Sequence, residues 1–360
     1  MSRQPNIRQL AEEREESLSP HAQRSRLSRG RLKDEEPCPI RTAFQRDRDR
    51  IIHSNSFRRL KHKTQVFIAP LGDHYVTRLT HTLEVSQVAR TIARALNLNE
   101  DLAEAISLGH DLGHTPFGHV GEQVLNELYP PGFRHNEQSL RVVDYLENNG
   151  RGLNLTWEAR DGIVNHSKTR DDILQGDWGR ASTLEGEVCR LADIVAYVNH
   201  DTDDAIRAGV LSEGDLPVSA VSVLGLSRSA RINTMVTDII EHSWSVRQGG
   251  AAGDRPTIGM SPRVLDATNN LRDFLFTRVY DVHAARQESA RAREVVRRLY
   301  DYFGTHEEKL PPEYRLHGSG RQRQVVDYIA GMTDQYALRT AEQMSLVDNR
   351  ARQQWLFTDS

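Results

Sequence analysis

His110-Asp111-Leu112-Gly113-His114-Thr115-Pro116-Phe117-Gly118-His119 is the stretch on which the reading of this chain turns. An apolar-periodic segment over 101–111 runs into it, and Gly113 and Pro116 stop the helix, so the His-Asp pair lies at a helix end. A lone histidine on an apolar helix is ordinarily a packed or surface residue. Here five histidines (His81, His110, His114, His119 and His135) fall within a 55-residue window, one of them beside an aspartate. Imidazole and carboxylate together suit a divalent transition metal, or Mg²⁺ and Mn²⁺ where oxygen donors dominate. Two consecutive residues cannot complete such a site. His81 on the preceding helix and Asp193, in a helix striped by Val188, Leu191, Ile194, Val195 and Val198, are the candidates to complete it.

Working outward, the pattern is helical. Residues 78–96 carry Leu79, Leu83, Val88, Ile92 and Leu96 near helical spacing, and further helices fit 119–129, 137–148, 156–166, 185–208, 228–246, 262–303 with a break, and 322–345. The best strand candidate is 65–68; 249–259 and 304–322 read as loops. An all-α fold follows, with an irregular charged arm at 1–40, a body at 41–246 and a C-terminal helical extension at 247–360. The 360 residues include 38% apolar and 27% charged ones, and no apolar run reaches the roughly 18–20 residues of a spanning helix. Two cysteines, Cys38 and Cys189, exclude a disulfide framework and a four-thiolate zinc site, so a soluble cytoplasmic protein without membrane partners is expected. Net charge is −3, yet two basic runs stand out. The first (Arg24, Arg26, Arg29, Arg31, Lys33) reads as solvated arm; the second (Arg46, Arg48, Arg50, Arg58, Arg59, Lys61, Lys63) lies among apolar residues, where an anionic ligand becomes a fair reading. There is neither a P-loop nor a Rossmann glycine motif, so any phosphate must be held by side chains and metal.

His81, the pair His110-Asp111 and Asp193 resemble the H…HD…D signature of the HD-domain phosphohydrolases. Within that superfamily the chain resembles the bacterial dGTPase-like deoxynucleoside triphosphate triphosphohydrolases. The likeness is carried by residues 47–51 (DRDRI), 57–60 (FRRL), 63–67 (KTQVF), 78–81 (RLTH), 110–122 (HDLGHTPFGHVGE), 133–136 (FRHN), 193–197 (DIVAY) and 330–334 (AGMTD). The pair alone is a weak match; the 110–122 run with its upstream segments is specific.

The resemblance implies an HD-type helical fold with added C-terminal helices and a divalent ion (Mn²⁺, Mg²⁺, Fe²⁺, Co²⁺ or Zn²⁺) ligated by His81, His110, Asp111 and Asp193. Such an ion acts as a Lewis acid on a phosphoryl group and lowers the pKa of bound water. Asp193, Tyr197 and Asp201, at i, i+4 and i+8, share a helix face; the resemblance puts Tyr197 and Asp201 near the deoxyribose and Gln65 at its 3′-hydroxyl. His119 and Glu122 are i and i+3 and can meet; by resemblance they are the catalytic dyad, with His114 and His135 catalytic or phosphate-contacting. Arg78, one turn before His81, together with Arg58 and Lys63, is a candidate for the triphosphate. The implied reaction yields a deoxynucleoside and tripolyphosphate. Another HD-type nucleotide phosphohydrolase and a weakly catalytic nucleotide- or DNA-binding regulator are the alternatives. Relatives assemble as oligomers, several with allosteric nucleotide sites between subunits, so the resemblance implies a homo-oligomer with an allosteric nucleotide as a candidate partner, and the basic arm keeps single-stranded DNA among the candidates. The resembling proteins carry a segment similar to 162–167, and His166 there reads as a packed residue or as support for a ligand.

Overall fold

A computed structural model of the chain describes residues 6–65, 76–167, 180–248, 256–280, 287–315 and 318–347. Among these the secondary structure is helical, and strand-type pairing is confined to two isolated bridges, Arg31 with Thr156 and Thr64 with Thr77. The fold is all-α. Residue 65 of the expected strand lies in a bend, and 66–68 fall outside the described residues. No described helix is long and apolar enough to cross a membrane. The described residues of Met1–His53, Thr82–His110 and Leu153–Phe276 form one compact unit, and those of Ser54–His81, Asp111–Gly152 and Thr277–Ser360 form a second. The segments of the two units alternate along the chain.

In the first unit, side-chain caps start the helices that matter most. Asn99 accepts from the Leu102 N–H ahead of Glu100–Gly109, Thr156 from Ala159 ahead of Trp157–Val164, and Thr183 from Gly186 ahead of Leu184–Arg207. The last helix buries Val188, Leu191, Val195 and Val198, each worth about 1.5–3 kcal/mol of apolar burial. Two glycines let the first two helices approach closely. A Cβ on Gly162 would sit 2.4 Å from Ile106 Cδ1, and one on Gly109 would sit 2.6 Å from Ile163 Cδ1. Each isoleucine fills the gap opened by the other helix's glycine, which fixes the two C-terminal ends relative to each other.

The arm departs from its expected irregular, solvated state. It carries the helix Ile7–Arg14 and threads polar groups into the first unit. Glu158 accepts from the Ser28 hydroxyl at 2.6 Å and the Arg29 N–H at 2.8 Å, while Arg29 stacks on the Trp157 ring at 3.8 Å. Glu185 accepts the N–H groups of Gln23 and Asn99, both at 3.0 Å. Arg31 pairs with the fully buried Asp47 and donates to Asn154 O at 2.6 Å. The reason is local: buried carboxylates need donors, and the arm supplies them.

The second unit is built on an apolar cluster in which Phe117, Val124, Leu125 and Phe133 meet Val295, Val296, Leu299, Phe303, Val326 and Ile329. Gly118–Leu128 starts behind Phe117, whose φ of 61° is costly for a large side chain. Asp334 holds that turn. Its Oδ1 accepts the Phe117 N–H at 2.9 Å, and its Oδ2 accepts the Thr64 N–H at 3.0 Å and the Thr64 hydroxyl. The helix expected over 137–148 is shorter, His135–Arg141 followed by the π turn Val142–Leu146, because Asn148 and Asn149 adopt the left-handed region. Asparagine tolerates that conformation. The segment expected over 262–303 breaks as anticipated into Pro262–Leu275, the π turn Phe276–Tyr280 and Gln287–Thr305; 281–286 lie outside the described residues. Of the expected loops, 304–322 contains the short turns Glu307–Lys309 and Pro312–Tyr314, and 249–255 lie outside the described residues.

Removing Arg31 leaves the Asp47 charge buried without its cation. Arg31→Ala is expected to cost about 3–5 kcal/mol of unfolding free energy, and Arg31→Lys less, as read by urea denaturation. A loss below about 1 kcal/mol would return the arm to a solvated role.

Candidate functional site

In the first unit His110 caps Glu100–Gly109, and its Nδ1 lies 2.6 Å from Ser107 O. His166 repeats the arrangement two residues beyond Trp157–Val164, with Nδ1 2.6 Å from Ile163 O. A carbonyl only accepts, so Nδ1 carries the hydrogen in both rings, and in the neutral imidazole the lone pair is on Nε2. Asp193 extends from Leu184–Arg207 with Oδ1 3.9 Å from His110 Nε2. One ligand atom each from His110, His166 and Asp193 lies within 4.8 Å of the others. Two imidazoles of fixed tautomer and a carboxylate, with both histidines buried, suit a divalent first-row ion.

Further along the same helix face, burial pushes the Tyr197 hydroxyl pKa up. The Asp193 and Asp201 carboxylates add to this and the Arg272 guanidinium opposes it. Asp201 is buried with His200, whose Nδ1 lies 2.7 Å from Asp201 Oδ1. Burial works against the charged His200 ring, yet Asp201 outweighs it and raises the histidine pKa. Arg272 and His200 were not anticipated as neighbours of this face. The His200-Asp201 adjacency was visible in the sequence, whereas Arg272 reaches the face from a distant helix.

The second unit holds Asp111, His81 and Arg78. Arg78 Nη1 donates to Asp111 Oδ2 at 2.7 Å, with both side chains buried, and His81 Nε2 lies 3.8 Å from the same oxygen. Gln65 is buried, and its carbonyl oxygen would lie 2.9 Å from a Cβ on Gly118, whose φ is 57°. Lys63, a candidate for the phosphates, is buried and donates to the carbonyl oxygens of His114 and Ala330 (the latter at 2.8 Å), which occupies two of the three ammonium hydrogens. Burial, then the positive charges of Arg59 and Arg78, lower its pKa to about 7. Arg58 is exposed on the short helix Asn55–Arg59.

Glu122 gathers three histidines in this unit. Its Oε2 lies 3.2 Å from His119 Nδ1 and 4.0 Å from His114 Nε2, and its Oε1 lies 2.8 Å from His135 Nδ1 while accepting the His135 N–H at 2.8 Å. His114 stacks on His135 with centroids 4.4 Å apart. The i+3 pairing of His119 with Glu122 is present; the tighter and more buried partner is His135, 13 residues away across a turn. Burial alone would raise the Glu122 pKa, but His135 and the hydrogen bonds from His119 and His135 hold it well below the usual carboxylate range. Burial disfavours charge on His135 as well, and Glu122 more than compensates, so its pKa is raised. His114, buried between Arg78 and His135, is pushed well below the ordinary histidine value. His119 is 72% exposed at its side chain and free to meet a ligand.

Residues 78–198 match the HD domain family, and 258–343 match the Phosphohydrolase-associated domain. A protein of Caldanaerobacter subterraneus subsp. tengcongensis named deoxyguanosinetriphosphate triphosphohydrolase-like protein is 57% identical, over 92% of this chain and 94% of its own length. Proteins of the same name from Desulfatibacillum aliphaticivorans (52% identical, 92% of this chain and 96% of that one) and Clostridium tetani (48%, 89% and 91%) are similar along nearly the whole chain.

The Glu122–His135 contact sets a pH signature. His135 starts from 6.5 and is raised by folding, so its contribution is complete below about 6.5 and is lost as pH climbs through the raised value. Glu122 starts from 4.5 and is depressed, so its share is complete above 4.5 and is lost only in acid. The stability difference between wild type and Glu122→Gln should therefore be largest near pH 6 and shrink toward pH 9 in denaturant titrations. A difference that stayed constant across that range would dissolve the assigned pair.

Proposed function

The chain belongs to the HD-domain family of deoxyguanosinetriphosphate triphosphohydrolase-like proteins, and on that premise we propose that this nucleotide phosphohydrolase cleaves deoxynucleoside triphosphates into deoxynucleoside and tripolyphosphate. One observation carries the anionic substrate. Arg78 is buried with Nη1 on Asp111, while its Nε and Nη2 meet no acceptor among the described residues. Buried donors left unmade cost about 1–3 kcal/mol each, and phosphate oxygens would satisfy both. The missing Cβ of Gly118, which would lie 3.4 Å from Nη2, leaves room beside them.

The metal ligands in this proposal are His81, His110, Asp111 and Asp193, and the divalent ion, when bound, supplies Lewis-acid activation of the phosphoryl group. Water attacks the α-phosphorus, the bond from phosphorus to the 5′-oxygen breaks, and that oxygen leaves needing a proton. His119 handles the proton: its ring is exposed on one side and oriented by Glu122 on the other. His135, biased toward charge by Glu122, and His114, stacked on it, serve the phosphates. Tyr197, kept protonated by its buried and acidic surroundings, and Asp201 approach the deoxyribose, and Gln65 meets its 3′-hydroxyl. Arg58 remains a candidate for the outer phosphates on the strength of its exposure.

The direct test incubates purified protein with each deoxynucleoside triphosphate and Mn²⁺, Mg²⁺ or Co²⁺ and separates the products. Nucleoside with intact tripolyphosphate is expected; monophosphate with pyrophosphate, or stepwise phosphate release, would overturn the proposal. His119→Ala should lower kcat by roughly 10²–10⁴-fold with metal content unchanged, and should flatten the pH–rate limb that the dyad gives wild type. Near-wild-type turnover by the metal-loaded variant would take His119 out of the mechanism.

A further inference from the structure

We infer that His166 is a direct ligand of the divalent ion, an imidazole added by the first unit to those of the His-Asp signature. The inference rests on the metal-dependent reading above and goes beyond its ligand set.

The packing of two helices makes the argument. Ile106 against Gly162 and Ile163 against Gly109 fix Glu100–Gly109 beside Trp157–Val164. His110 follows the first helix directly, and His166 lies two residues past the second. Their rings meet edge to face, with centroids 4.8 Å apart and planes at 77°, and both are almost wholly buried. An edge-to-face pair at this spacing can serve one ion from neighbouring coordination positions without ring overlap.

The second part is electronic. Both rings use Nδ1 against the carbonyl three residues earlier, at the same 2.6 Å. That contact orients a metal-binding imidazole, fixes its tautomer and raises the basicity of the opposite nitrogen. His110 has this support and is a member of the signature; His166 has the identical support and is not. A residue that only filled space beside the helix ends would need neither the fixed tautomer nor the shared geometry.

The third part is reach. The donor atoms of His110, His166 and Asp193 lie within 4.8 Å of one another. Opposite ligands at about 2.0–2.2 Å from an ion are roughly 4.0–4.4 Å apart, so a shift of less than about an ångström closes the set. Asp193 is only partly buried, with 22% of its side chain exposed, and it lies on a helix face whose next turn carries Tyr197. The two nitrogens come from a locked helix pair, and the oxygen supplies the adaptable ligand.

The experiment loads the full-length protein with Mn²⁺ and counts coordinated imidazole nitrogens by pulsed electron paramagnetic resonance, with the Mn²⁺ Kd measured by calorimetry. His166→Ala should show one coordinated imidazole fewer than wild type and a Kd raised by roughly 10–100-fold. His166→Asn, which keeps a donor for Ile163 O, guards against a folding defect and should lose the same imidazole. An unchanged imidazole count in both folded variants would overturn the inference, whatever happened to affinity. Failure of the underlying metal reading looks different: wild type would bind no Mn²⁺, or His110→Ala would leave the spectrum as it was.

Discussion

Buried carboxylates in both units are met by cations or N–H groups delivered to them, and that requirement organises the packing of each. Asp111 has Arg78 at 2.7 Å. Glu122 has His135 and His119. Asp327, fully buried, is gripped by Arg141 at 2.8 Å and Arg323 at 2.7 Å. In the first unit Asp47, Glu158 and Glu185 draw the arm in for the same reason. Breaking any of these leaves a bare charge in a poorly polarisable place, which is more damaging than never having had the pair. The candidate site and the architecture are thus held by one kind of contact.

That coupling also explains where sequence reasoning reached and where it stopped. Helix signals are local, so the segment expected over 185–208 appears as Leu184–Arg207, and Asn99, Thr156 and Thr183 cap as their side chains allow. The His-Asp run was legible for the same reason, since its density needs no knowledge of folding. Contacts between distant residues leave no such trace. Glu158 gives no hint that Ser28 and Arg29 will reach it across more than a hundred residues. Glu122 advertises its i+3 neighbour His119, but the stronger partner His135 lies beyond a turn. Lys63 sits in a basic run that reads as an anion-binding surface. Only the fold reveals that the carbonyls of His114 and Ala330 claim its ammonium.

The histidines show how one residue type is divided among tasks by surroundings alone. Burial, Arg78 and His135 disfavour charge on His114, whereas Glu122 favours it on the stacked neighbour His135. His200 is fully buried and still biased toward charge, because Asp201 lies against it. His110 and His166 are oriented by backbone carbonyls in place of carboxylates, which puts a hydrogen on Nδ1 and, in the neutral tautomer, the lone pair on Nε2.

Asp334 ties the turn at Phe117, and through it the first residue of the helix that carries His119 and Glu122, to a position 217 residues further along the chain. Protein synthesis runs from the N-terminus, so the ribosome has released the whole His-Asp stretch long before that carboxylate appears. Until it does, the Asp334 contact with the Phe117 N–H that accompanies this left-handed turn cannot form. The turn that starts the Gly118–Leu128 helix is therefore completed only once the C-terminal segment carrying Asp334 is present.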